Sequence, residues 1–478
     1  MIQQSLSRTK PYKAASPEQT IGVIQKILHN LGVSFVEEPI EGQGPFFSYC
    51  LRVVDATNHQ TVFQTMGKGL TDAYARASAY GELIERLQNL AFFIMLKYPT
   101  ESELGLDPDT PFKYFPDERF IAWTDLSPHA AHLFRKGSPG LSSDPYQEQR
   151  IKAVPFWNVF GGQMEYLPFR HFQLVVGSNG MCSGNTKKEA LIHGLCEVFE
   201  RHVLKRMFTN PFCPPPIPPD LFSGHAIHQQ MRRLMQDKGC DISIKDCSLG
   251  KRLPVLGLLI TDRQGRYAFH LGADPSPVTA LERCFTEMFQ GGAVCFNDGA
   301  ERPDTLCDLS SSSFWRMQLH LNIRSYQGHW PSRLFSPEPD YAFNGFAHPS
   351  SISDAGDLQG LLQLMKTERL ELLIRDNSFL GFPSYHVYLP GLSEMSNVVD
   401  HSFVNECLLL DRHLPALTRL HAAGSAQKQG LAAAIASYAA AAPSGQFRVG
   451  DYLAYYPGHP VAGLSQEQLA ALLCGALP

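Results

Sequence analysis

The sequence predicts an α+β fold, and three observations carry that expectation. Short β-branched segments are interspersed with capped helices of ordinary length. A glutamate-bearing helical phrase occurs twice, each copy behind a glycine-bearing turn, which implies two related halves. A chain of 478 residues with 44% hydrophobic composition can also bury a substantial core, as one large domain or two coupled ones.

Residues 16–32 read as a helix, with Ser16 at the N-cap, Pro17 in the first turn and Gly32 past the end. Residues 33–37 and 48–55 read as strands, the second alternating and β-branched. The first glutamate phrase predicts a helix over about 71–96. Residues 97–150, rich in Pro, Asp and Ser, read as a long excursion over the surface. Strands are expected near 152–158 and 172–176, ahead of the second phrase, where Gly180 and Gly184 permit tight backbone approach. The proline-rich run 211–220 reads as a polyproline II spacer. Strands at 253–260 and 267–272 flank a turn at 262–265, and a helix from about 277 to 291 follows. Residues 297–350 read as irregular. A helix near 357–367 and strands near 370–375 and 385–390 complete a core spanning 1–401. Residues 402–478, with an alanine-rich run at 431–442, read as a small helical extension packed against that core.

Within the repeated phrase, Glu82 maps to Glu197, Glu85 to Glu200 and Arg86 to Arg201, all at one offset of 115 residues. Residues three apart share a helix face, so each copy presents two carboxylates side by side. Taken singly, Glu-x-x-Glu-Arg is the charge pattern of any solvated helix, worth a few tenths of a kcal/mol per i,i+4 pair. Here apolar residues lie between the acids (Leu83, Ile84; Val198, Phe199) and small ones precede them (Ala75, Ala77, Ala79; Gly194). That composition places the carboxylates at the inner edge of packed helices. Four carboxylates gathered from two such edges need cations, and hard oxygen ligands suit Mg²⁺, which also binds substrate phosphates. The pattern points to a nucleotide site.

At these residues the sequence resembles the YcaO superfamily, whose members bind ATP and Mg²⁺ and activate a peptide backbone amide by phosphorylating its oxygen. The resemblance rests on GKGLTDAYARASAYGELIERL (67–87), SNGMCSGNTKKEALIHGLCEVFERHVLKR (178–206), GADPSPVTALERCFTEMFQGG (272–292) and LPGLSEM (389–395). These stand in order within about residues 10–400. The resemblance implies an α+β YcaO-like fold, whose pseudo-symmetric sheet-and-helix halves enclose an ATP/Mg²⁺ site. It implies that Glu82, Glu85, Glu189, Glu197 and Glu200 hold Mg²⁺, and that Arg201 and Arg283 contact the phosphates during transfer. It places Lys13, Thr20, Ser78 and Asn185 around the nucleotide, with Thr20 standing where the family has a serine. Cys182 replaces a small or hydroxylated residue of the glycine loop. From local sequence alone Arg283 passes for a surface cation, Lys68 for a phosphate contact or a turn lysine, and His193 and His202 for helix-surface histidines. Cys182 reads as lining, because nearby carboxylates oppose a thiolate.

The activity that the resemblance implies is ATP-dependent activation of an amide for attack by sulfur or another nucleophile. The product would be a thioamide, an azoline or an intermediate toward methylthiolation, and the substrate a peptide or a ribosomal protein. A partner protein and a homodimer are further expectations. Azoline-forming members usually end in Pro-x-Pro-x-Pro, whereas this sequence closes with Cys474-Gly475-Ala476-Leu477-Pro478. That difference counts against self-sufficient azoline formation and keeps a non-catalytic nucleotide-binding accessory role in view. A net charge of −5 argues against general nucleic-acid binding. No run of 18 apolar residues predicts a membrane span, and the N-terminus lacks a secretory apolar core. Eleven cysteines occur without a Cys-x-x-Cys pair, and Cys50, Cys196, Cys284 and Cys407 read as small buried hydrophobes. A reducing, cytoplasmic compartment is expected.

Overall fold

A computed structural model describes residues 6–8, 11–41, 46–54, 59, 61–89, 117–133, 151–289, 294, 296–297, 318–319, 321–323 and 328–395. The chain divides into two units, Met1–Leu306 with Leu321–Met395, and Cys307–His320 with Ser396–Pro478. The first unit carries every element named below. The helical extension expected at 402–478 lies outside the described residues, as does Cys407.

After the short strand β1 (Ser7–Arg8), helix α1 (Pro17–Asn30) forms where the capping signals place it. Ser16 Oγ accepts from the Gln19 amide, the Gln19 side chain accepts from the Ser16 amide, and Gly32 leaves the helix at φ +66°. Strands β2 (Ser34–Ile40), β3 (Phe47–Val54) and β4 (Thr61–Gly69) then form an antiparallel sheet in that order. Helix α2 (Asp72–Gln88) packs on it, burying Leu83 and Ile84 with Ile24, Leu28, Leu51 and Phe63. Each such side chain removed from water contributes about 1.5–3 kcal/mol. The turn expected at Gly67-Lys68-Gly69 is instead the end of β4. Gly67 runs so close under α2 that a Cβ there would come within 2.1 Å of the Ala75 carbonyl oxygen, so the glycines serve packing rather than reversal.

The second sheet has six strands, β5 (Arg119–Ile121), β6 (Ile151–Asn158), β7 (Gln163–Pro168), β8 (Met181–Ser183), β13 (Leu373–Asp376) and β14 (Ser384–Tyr388). Their order is β5-β6-β13-β14-β8, with β7 on β6. Two expectations fail here. Residues 172–176 are the end of helix α3 (Phe169–Val176), because Phe169, Phe172, Val175 and Val176 recur at helical spacing and bury one face. Part of the surface excursion at 97–150 is core, since β5 pairs with β6 and Ala130 and Leu133 are buried in the same cluster.

Helix α4 (Lys187–Thr209) carries the second phrase and packs on β8 and β14. Within the run 211–220, residues 211–218 are extended and hydrogen-bonded along β9 (Asp241–Asp246), with Ile217 donating to the Ile244 carbonyl at 2.8 Å, and a 3-10 turn begins at Pro219. Ahead of β9 comes helix α5 (Ala226–Asp237), which the sequence reading missed. Strands β10 (Val255–Thr261) and β11 (Tyr267–Ala273) complete a three-stranded antiparallel sheet under α6 (Pro277–Glu287). Strand β12 (Ser350–Ser351) pairs parallel with β1, and α7 (Asp354–Thr367) packs on α4.

The internal repeat runs deeper than the acids. Thr71 and Thr186 cap α2 and α4 with matching backbone (φ −133° and −134°, ψ 157° and 158°), and each accepts from the amide three residues on, Tyr74 or Glu189. Gly69 and Gly184 precede them, where a Cβ would lie 2.6 Å from Ala75 N and 2.7 Å from Ala190 N. A third copy stands at α6, 205 residues after the first. Ser276 caps it through the Thr279 amide, and a Cβ on Gly272 would lie 2.5 Å from the Ala280 carbonyl oxygen. One contact is solved with exchanged sizes. Gly67 lies under Ala79 in the first copy, whereas Cys182 lies against Gly194 in the second.

Candidate nucleotide and metal site

Each repeat ends its strand tightly under a capped helix, which fixes where the next three turns of side chains emerge. On α2, Arg86 lies 3.5 Å from Glu82 and 3.2 Å from Glu85, and Glu82 accepts the Met66 amide at 3.2 Å. Ser183 Oγ of β8 donates to the Gly81 carbonyl at 2.9 Å, joining the two phrases. Glu85 is 5% exposed, and burial pushes its pKa up to about 8, opposed by Arg86 and reinforced by Glu197 and Glu82. Burial likewise raises Glu197 to about 7, with Arg201 and Arg86 opposing and Glu200 and Glu82 adding to it. Carboxylates of both helices therefore sense one another, as the repeated phrase predicts.

The N-terminal strap, residues 11–16, reaches the same place. Lys13 Nζ lies 3.2 Å from Glu189 Oε1, and the Ala14 amide donates to Glu189 Oε2 at 3.1 Å. Asn185 Nδ2 donates to Glu189 at 3.4 Å, and Thr20 Oγ1 donates to Asn185 Oδ1 at 2.7 Å. Four residues that the sequence singled out, Lys13, Thr20, Asn185 and Glu189, are thus one hydrogen-bonded group.

On α6, Arg283 lies 3.3 Å from Asp274. Burial disfavours its charge, but Asp274, Tyr12, Cys196 and Glu200 more than offset that and raise its pKa. Its Nε is buried and has no hydrogen-bond partner among the described residues. Arg201 donates Nη1 to the Ile323 carbonyl at 2.5 Å. His193, on α4, is driven far below its ordinary pKa by burial and by Arg283, Lys13, Lys68 and Arg86 together. Cations from four elements therefore surround His193, on the helix that carries Glu189, Glu197 and Glu200. His193 and His202, the latter lowered to about 3 by burial, are half-buried neutral rings rather than surface histidines. Cys182 is raised by burial and by Glu85 and Glu197, which fits inert lining.

Sequence reasoning missed Glu287. It pairs with Lys68 and sits near His270 and Arg201; burial opposes its charge, and these three neighbours bring its pKa below the ordinary value. Its signal was the third repeat, because Glu82, Glu197 and Glu287 occupy one position in the three copies. The same register aligns Ser78, His193 and Arg283. Ser78 is exposed on α2 one turn before Glu82 and, among the described residues, makes no hydrogen bond to another site residue.

Whether these residues suit Mg²⁺ and a triphosphate turns on three features. The donors are hard oxygens. Glu85 and Glu197 are strained toward neutrality by burial and mutual repulsion, which a cation would relieve. The Arg283 Nε–H is a buried donor in want of an acceptor. All three fit. Among the described residues no three His, Cys, Asp or Glu side chains converge at metal-ligand spacing, the carboxylates being drawn onto Arg86, Lys13 and Lys68.

The YcaO cyclodehydratase family, described as ATP- and Mg²⁺-binding, matches residues 66–393. The ribosomal protein S12 methylthiotransferase accessory factor YcaO of Escherichia coli is 28% identical over 414 residues, covering 83% of this chain and 68% of that protein. A protein encoded in the tfuA 3′ region of Rhizobium leguminosarum bv. trifolii is 26% identical over 309 residues, covering 58% of this chain and 66% of its own. Among solved structures, a heterocyclase in complex with substrate and cofactor aligns with TM-score 0.53 at 18% identity, covering 80% of this chain and 53% of the heterocyclase. YcaO from Methanopyrus kandleri, bound with AMPPCP and Mg²⁺, aligns with TM-score 0.50 at 18% identity, covering 84% and 97%. The chain thus spans about two thirds of the accessory factor and half of the heterocyclase, and the solved structures share its α+β fold. Among the described residues no helix is long and apolar enough to cross a membrane. With more than half of its length matched by the family model, the chain belongs to the YcaO family, and its cofactors are ATP and Mg²⁺.

Proposed function

We propose that this chain phosphorylates the oxygen of a peptide or protein backbone amide, using ATP, and so prepares its carbon for a nucleophile. In that reaction the amide oxygen bonds to the γ-phosphorus as the bond to ADP breaks. A sulfur or other nucleophile then adds at the carbon, and phosphate departs with the former amide oxygen. Bound Mg²⁺ would supply charge neutralisation along the phosphates. Glu82, Glu85, Glu189, Glu197, Glu200 and Glu287 would hold it, while Arg201 and Arg283 would bind the phosphoryl oxygens. A guanidinium suits that role because its planar fork meets phosphate in two places. Lys13, Thr20 and Asn185 would orient the nucleotide end nearest the strap, and Ser78 would face it from α2. Phosphoryl transfer asks a protein mainly for such positioning and neutralisation.

The observation that carries this reading is the joining of the acidic phrases of α2 and α4 through Ser183 and Gly81, with Arg86 on Glu82 and Glu85 and the strap's Lys13 on Glu189. The experiment is Mg²⁺-dependent ATP hydrolysis with identification of the nucleotide product, using Glu200→Gln as control. Phosphate and ADP release lost in the variant supports the reading, and turnover retained in it overturns it. A second reading, nucleotide binding in service of a partner enzyme, is favoured by the accessory role named for the Escherichia coli relative. Tight Mg·ATP binding without turnover, in the presence of candidate peptides, would select it.

A further inference from the structure

Tyr12 and Tyr74 have no part in the reading above, yet both stand at its border. Their rings meet edge to face, with centroids 5.2 Å apart and planes at 87°. The Lys13 ammonium lies 5.7 Å from the Tyr12 ring centroid, within the range of a cation–π contact. Tyr12 also lies near enough to Arg283 for its phenol to act on that charge. Tyr74 cannot drift. Its amide donates to the Thr71 cap at 3.3 Å, and a Cβ on Gly69 would lie 2.9 Å from its Cβ, so strand β4 presses against it.

The repeat gives this contact its meaning. Tyr74 and Glu189 are the same position of two copies, each the residue whose amide the threonine cap accepts. Successive strap residues touch the two equivalents: Tyr12 packs on Tyr74, and Lys13 with Ala14 holds Glu189. The strap therefore spans both halves at matching points, apolar on one side and polar on the other.

We propose that Tyr12 and Tyr74 form a ring-on-ring latch that holds the strap across the nucleotide site and sets how tightly Mg·ATP is bound. They act as positioning residues, through Lys13 and Glu189. The inference rests on the nucleotide reading, but the latch itself can be read without nucleotide. Two measurements on the full chain test it, in wild type, Tyr12→Ala, Tyr12→Phe, Tyr74→Ala and the double alanine variant. Without nucleotide, hydrogen exchange at the Ala14 amide should quicken about three- to tenfold in each alanine variant and stay near wild type in Tyr12→Phe, which keeps the ring. With nucleotide, KM for Mg·ATP should rise by about the same factor while kcat changes less than twofold, and the double variant should be no worse than the singles. Unchanged exchange at Ala14, or a Phe variant as impaired as Ala, overturns the latch. Faster exchange with an unchanged KM overturns its control of affinity. A wild-type protein that binds no Mg·ATP would overturn the nucleotide reading and with it that control, while the exchange experiment still decides whether the latch exists.

Discussion

Replacing Glu85 by glutamine removes an ionisable group with almost no change of shape, which separates the cost of burying it from its use. Burial raises the Glu85 pKa to about 8 from an ordinary value of 4.5. Between those values the folded chain keeps a proton that the unfolded chain releases, so this group makes stability fall as pH rises. At pH 7 the cost is about 3 kcal/mol, and it vanishes below about pH 4.5. Glutamine is neutral throughout and can still accept a hydrogen bond at that place, while Arg86 keeps Glu82. For a chain of 478 residues one kcal/mol corresponds to about 1 °C in Tm. Glu85→Gln should therefore melt about 3 °C above wild type at pH 7 without nucleotide, and level with it near pH 4.5. With Mg·ATP the order should reverse, since wild type gains about 4.1 kcal/mol at a thousandfold excess over Kd and the variant gains little. Scanning fluorimetry at both pH values, with and without Mg·ATP, reads all of this. A variant that melts below wild type at pH 7 in the bare state would show Glu85 to be a structural acid. One that Mg·ATP stabilises as fully as wild type would remove it from the metal site.

Three further outcomes follow from the packing and the charges. Gly194→Ala should cost about 1–3 kcal/mol, because its Cβ would lie 2.7 Å from Cys182 Sγ, and adding Cys182→Gly should restore much of that by recreating the Gly67–Ala79 arrangement; urea midpoints decide it. His386 is buried beside Phe172 and lowered to about 3, so the unfolded chain binds the extra proton between about pH 3 and 6.5 and stability falls with acidification. That loss should be about 2 kcal/mol at pH 5 and should shrink in His386→Gln, as measured by urea unfolding at pH 5 and 7. Arg283→Ala should lower kcat for ATP hydrolysis more than it weakens nucleotide affinity, and equal losses would assign Arg283 to ground-state binding.

What the sequence disclosed depended on whether a feature was local. The Ser16 cap and its helix were legible because a hydroxyl before an apolar-periodic run satisfies amides within one turn; Thr71, Thr186 and Ser276 carry the same local signal, which the sequence reading did not draw on. Residues 172–176 were misread because Phe and Val suit strands by propensity, and only the spacing of Phe169, Phe172 and Val176 shows the buried helical face. Helix α5 was missed because its apolar residues are few; Ile227, Met231 and Met235 recur every four positions among polar neighbours, in one cluster with Ile244 of β9 and Leu256, Leu258 and Ile260 of β10. The acids of α2 and α4 were visible as a repeat, whereas Glu287 was hidden in a copy whose following arginine and second glutamate are absent. Its pairing with Lys68 joins α6 to β4, and no local pattern reports such a contact.

Under the proposed function, three copies of one strand-and-helix unit build a single Mg·ATP site. Calorimetric titration of ATP into wild type and Glu197→Gln, each with Mg²⁺ and with chelator, tests it most directly. One nucleotide per chain should bind, only when Mg²⁺ is present, with an affinity at least about tenfold weaker in the variant. ATP binding of equal strength in chelator, or in Glu197→Gln, would contradict it.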